Sequence, residues 1–155
     1  MSQSPNSALD LAIAKAAEEH QAAEQALALA RGRLRAAETT YATLSNFNGE
    51  YEGRLRGVNR LSKDSLGNYH RFLDKLALAL DSQRNDVDQA GQAVAQQKTA
   101  WFASLRRLKA MELLRERRAA AARTKIMRLE QKQSDEFAAR SSRRKQHETR
   151  YEQHS

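Results

Sequence analysis

The residues that could do chemistry are few and scattered. The four histidines, His20, His70, His147 and His154, lie far apart along 155 residues, whereas a metal centre needs several ligands converging on one point. The nearest pair, His147 and His154, falls in the C-terminal tail. Acidic pairs such as Glu18–Glu19 and Asp86–Asp88 are one or two residues apart. On a helix only i, i+3 or i+4 neighbours share a face, so these read as solvated surface rather than a general acid/base couple. No G-x-x-x-x-G-K-S/T loop or G-x-G-x-x-G turn is present to cradle a phosphate. With no cysteine there is neither a thiolate ligand nor a disulfide framework, which fits a reducing compartment. The expectation is a protein with no catalytic, cofactor-binding or metal-binding residues, and not an enzyme.

What remains is binding chemistry, beginning with charge. Residues 1–105 carry 12 Lys+Arg and 12 Asp+Glu, while residues 106–155 carry 15 and 7, so the whole net charge of +8 sits in the last third. Arg115, Arg117, Arg118, Arg123, Lys125 and Arg128 form a basic run within it. One reading is a solvated, arginine-rich helix face; the other is a docking surface for an acidic partner, protein or nucleic acid. No basic region leads into a parallel zipper, and no zinc-knuckle spacing or aromatic-bearing sheet appears. Glu112, Glu116, Glu130, Asp135 and Glu136 also interrupt the run. No specific nucleic-acid partner is expected.

The elements that must position these groups are legible from composition and periodicity. Ala, Leu, Glu, Gln, Lys and Arg dominate, and aromatics make up only 6%, which favours long helices with a narrow apolar seam. From Leu9 the chain holds a 3–4 spacing through Ile13, Ala16, His20, Ala23, Leu27, Ala30, Leu34, Ala37, Tyr41, Leu44, Asn48, Tyr51, Leu55 and Val58. Such a sustained heptad pattern predicts a coiled coil. His20 and Asn48, and Gln83 in the second half, read as polar register residues within the seam. Turn-forming residues gather between Gly57 and Asn68. A second seam then runs Tyr69, Leu73, Leu76, Leu80, Gln83, Val87, Ala90, Val94, Gln97, Trp101, Leu105, Leu108.

The predicted fold is all-α: a long antiparallel two-helix coiled-coil hairpin with helix 2 longer than helix 1, forming a single domain over 1–155. Helix 1 is expected at about 8–58, capped by Asn6 or Ser7, and the turn at about 59–67. Helix 2 is expected at about 68–145, capped by Ser65 or Asn68, with a frayed tail over 146–155. With the turn centred near Ser62, opposing residue numbers total about 124. Small residues then meet large ones, Ala37 with Val87 and Ala23 with Trp101, as native packing density requires. Leu9 falls opposite Arg115, and from roughly residue 118 onward helix 2 has no partner in helix 1.

Phe47 and Phe72 stand beside the two seams rather than in them, near the turn. Either a local skip buries both, or they form an exposed aromatic patch of the kind interfaces use as anchors. The first residues lack the apolar core of a signal peptide, and no stretch approaches the ~18 apolar residues of a membrane span. A cytoplasmic protein is expected.

These residues, in order, resemble the FliJ family, the small coiled-coil component of the flagellar type III export apparatus. The matching runs are Phe47-Asn48-Gly49-Glu50-Tyr51, Gly67 through Leu73, and Leu76 through Gln83-Arg84. Trp101 followed by basic residues, and Glu130 through Arg140, add to the likeness. The resemblance implies a hairpin similar to the central stalk of rotary ATP synthases. It implies insertion into the ring of the export ATPase hexamer, contact with an FlhA-like export-gate protein and handling of export chaperones. It places the protein in the cytoplasm, peripheral at the inner membrane. It also assigns a gate-contacting cluster to Leu44, Phe47, Tyr51, Phe72, Leu76 and Ala79, with the basic run as a possible ATPase docking region. The equivalent stalk of an injectisome system, or a generic basic coiled-coil or nucleic-acid-associated scaffold, are the alternatives.

Overall fold

A computed structural model of the chain describes residues 4–57 and 62–154. It contains two helices, α1 (Pro5–Gly57) and α2 (Lys63–Glu152), packed against each other as a hairpin in which α2 is the longer. The starts of both helices correct the expected caps. Ser4, not Asn6 or Ser7, caps α1: the Ser7 backbone N–H donates to Ser4 Oγ at 3.2 Å. Pro5 follows as the first helical residue, where its missing N–H costs nothing. Ser62 caps α2, accepting the Ser65 backbone N–H on its Oγ at 3.3 Å, with Asp64 in the first turn facing the positive end of the helix dipole. A serine three residues ahead of a donor fits the N-cap geometry, so residues 63–67 join the helix instead of the turn. The rest of the expected turn, and Val58 at the end of the first seam, lie at 58–61, outside the described residues. At the other end α2 continues helically through the expected frayed tail to Glu152. Lys, Arg, Glu and Gln there are strong helix formers, and Arg150 suits the negative end of the dipole.

Backbone contacts divide the chain into two units. In the unit Ala14–Leu108, every seam position within the described residues is buried or half-buried. Ala16, Leu27, Ala30 and Leu76 are its most buried apolar residues. A fully buried leucine contributes about 1.5–3 kcal/mol, and a two-stranded coil has little interior beyond its seam, so these few residues matter disproportionately.

Two polar layers set the register of this unit. The Gln83 amide donates to the Ala37 carbonyl at 3.0 Å. His20 Nδ1 lies 2.9 Å from Ser104 Oγ, and the Ser104 hydroxyl donates to the Trp101 carbonyl at 2.7 Å. That hydroxyl has one proton, already committed, so its oxygen accepts from His20 Nδ1–H. The His20 ring also packs against Trp101, centroids 5.6 Å apart. Asn48 instead turns along its own helix, its amide 3.4 Å from Glu52 Oε1. Exposed Arg107–Glu19 pairing at 3.6 Å adds little to stability.

The second unit joins the start of α1, up to Ile13, with α2 from Lys109 onward. Leu9 and Ile13 are its buried residues. Arg115 Nη1 sits 3.8 Å from Asp10 Oδ1, and Asn6, Leu9, Arg115, Arg118, Ala119 and Ala122 line a shallow groove. The groove runs along α2 as far as Ala122. From Leu113 to His154 every residue except Ser141 is exposed.

Candidate functional site

Near the turn, α1 offers Leu44, Phe47, Tyr51 and Arg54, and α2 offers Tyr69, Phe72, Leu76 and Ala79. Each set follows a 3–4–3 spacing, which keeps its members on one side of a helix. In an antiparallel hairpin the corresponding flanks of the two helices meet, so both sets contribute to one surface. Tyr51 is its centre. Its ring lies 4.6 Å from that of Phe72 and 5.8 Å from that of Tyr69, both tilted contacts of the kind aromatic quadrupoles favour. The Arg54 guanidinium sits over the Tyr51 face, 5.7 Å from the centroid.

The two phenylalanines stay at the surface: Phe47 is 48% exposed and Phe72 44%. Of the two sequence readings, local burial is thus set aside. Leu44 and Tyr51 are half-buried in the seam and Ala79 is exposed, while Leu76, at 8% exposure, is core. Sequence reasoning left two members of this surface unassigned. Tyr69 was legible as a seam residue, and Arg54 was signalled only by its place three residues after Tyr51.

The basic run divides. Arg115 is engaged with Asp10 and Arg118 lines the groove beside Leu9. Arg117, Arg123, Lys125 and Arg128 are exposed on α2, with Lys125 and Arg128 flanking a shallow depression that includes Leu129. Ile126, Met127, Leu129 and Phe137 are exposed as well, Phe137 at 74%. This stretch therefore offers apolar side chains among its cations. Elsewhere Arg84 donates to the Tyr41 hydroxyl at 2.9 Å, a bond that raises its pKa further above the ordinary arginine value.

No cluster of His, Asp and Glu able to hold a metal occurs among the described residues. Nor is any of their helices long and apolar enough to cross a membrane. Among the described residues the fold is a long helical hairpin that exposes an aromatic flank in one unit and a basic stretch of α2 in the other. The model of the family described as flagellar FliJ protein matches residues 6–147. The flagellar FliJ proteins of Salmonella typhi and of Escherichia coli (strain K12) are each 32% identical to the chain over 111 residues, covering 70% of it and 76% of the relative. The chain belongs to the FliJ family, a family of non-enzymatic flagellar export components.

Proposed function

We propose that this protein is the stalk-like coupling element of flagellar type III export. In this reading its basic α2 segment enters the ring of the export ATPase hexamer and promotes the ring's assembly and activity. Its aromatic flank contacts an FlhA-like export-gate protein, and the hairpin also handles export chaperones. It works in the cytoplasm, held peripherally at the inner membrane through the complex.

The observation that carries this reading is the presence of two chemically different free surfaces on one hairpin. A partner gripping Phe47, Tyr51 and Phe72 does so through apolar and aromatic area. A partner meeting Arg123, Lys125 and Arg128 does so through charge, which accelerates encounter and is screened by salt. A coupling element needs two such non-competing contacts. Family membership favours the flagellar machine over the injectisome alternative.

The test is direct. The purified chain should co-purify with its cognate export ATPase, raise the turnover of the hexamer, and bind the cytoplasmic domain of the gate protein. A chain that neither binds nor stimulates that ATPase would sink the stalk reading.

A further inference from the structure

Arg54 takes an arrangement its own helix does not demand. Glu50 stands four residues before it, the order and spacing that favour an ion pair along a helix. The guanidinium lies over the Tyr51 ring instead. The ion pairs among the described residues are His20–Glu24, Arg107–Glu19, Lys109–Glu112 and Arg115–Asp10, and none involves Arg54. Its guanidinium N–H groups make no hydrogen bond among the described residues either. Arg84, the other arginine placed over a ring, differs: it stands 5.8 Å from the Tyr41 centroid and spends an N–H on that residue's hydroxyl.

A guanidinium held over an arene spends none of its N–H donors on the ring, so its planar fork stays able to grip a carboxylate with two parallel hydrogen bonds. Beside that fork lies a continuous aromatic surface crossing from α1 to α2 through Tyr51, Tyr69 and Phe72, with Phe47 and Phe72 about half exposed. We propose that Arg54 and Tyr69 extend the gate-facing surface, and that this surface takes a partner segment presenting a carboxylate beside a large apolar side chain. The apolar group rests on Phe47 and Phe72; the carboxylate binds the Arg54 fork. Tyr69 packs against the Tyr51 ring over which Arg54 lies. The inference rests on the gate reading above.

The experiment titrates the full chain with the purified cytoplasmic domain of its cognate export-gate protein, at low and at physiological NaCl. Helix content is checked by circular dichroism for every variant. Arg54→Gln should weaken binding about tenfold and flatten its salt dependence, and Arg54→Lys should recover only part of the loss because it restores charge without the fork. Tyr69→Ala should weaken binding severalfold with helix content unchanged. If Phe72→Ala abolishes binding while Arg54→Gln binds like the parent at both salt concentrations, the gate surface is purely apolar and the carboxylate proposal is overturned, with the gate reading intact. If Arg54→Lys matches the parent, recognition by the fork is overturned. A parent chain that fails to bind the gate domain overturns both.

Discussion

The aromatic flank of the unit Ala14–Leu108 and the basic stretch of α2 after Ala122 are both exposed, yet they are built on different physics. The flank is braced across the hairpin: Tyr51 on α1 packs against Tyr69 and Phe72 on α2. Among the described residues no second helix covers the basic stretch, whose side chains are exposed. Its order comes from backbone hydrogen bonds and from the propensity of Arg, Lys, Gln and Ala alone. A partner that binds the flank meets a preformed surface and loses little conformational entropy. A partner that binds the basic stretch must also restrain many long side chains, each costing up to ~2 kcal/mol of rotamer entropy. The two regions should therefore respond differently to the same perturbations.

The sharpest way to break that contrast is the double change Phe47→Ala with Phe72→Ala. Truncating two central aromatics should cost gate binding about 3 kcal/mol or more, read by titration calorimetry, and leave ATPase stimulation untouched. Loss of both activities together would mean that the two surfaces are not independent. Leu76→Ala comes next. Leu76 is core rather than surface, so the change should lower unfolding free energy by roughly 2–3 kcal/mol in urea melts, and affect the gate only as far as the hairpin loosens. A gate defect at full helix content would return Leu76 to the interface. Replacing Arg123, Lys125 and Arg128 together by Gln should weaken ATPase binding by about 1–2 kcal/mol at low salt. The difference from the parent should shrink as NaCl rises, with gate binding unchanged; a salt-independent loss would point to packing by Ile126 and Leu129 instead. The smallest effect is expected from Gly53→Ala. A Cβ there meets nothing within 4 Å, so the variant should be more stable by about 0.5–1 kcal/mol, seen as a higher melting temperature with gate affinity retained.

The seam was legible in the sequence because a two-stranded coil has only one kind of interior. Heptad spacing reports burial directly, and every seam residue from Leu9 to Leu55 and from Tyr69 to Leu108 lies at least half-buried. The helix starts were harder to place. Asn6, Ser7, Ser65 and Asn68 are all good cap types, and choosing Ser4 and Ser62 over them depends on which backbone N–H groups open the helix. Ser104 was invisible for a related reason: Leu105 beside it satisfies the apolar pattern, and only the meeting with His20 shows that a serine fills that layer. At the site, Phe47 and Phe72 could be read from their places beside the heptad. The role of Arg54 could not, because Glu50 and Tyr51 are both within its reach and the spacing does not say which one it takes.

The layer built from His20, Ser104 and Trp101 has one more consequence. Sliding the helices of that unit by one heptad would part the His20 Nδ1–H from the Ser104 oxygen, while the Ser104 hydroxyl kept its bond to the Trp101 carbonyl on its own helix. An unsatisfied polar group in such a seam costs about 1–3 kcal/mol. The layer therefore acts as a detent: within this unit, a push delivered to one helix moves the other with it instead of being lost as slippage.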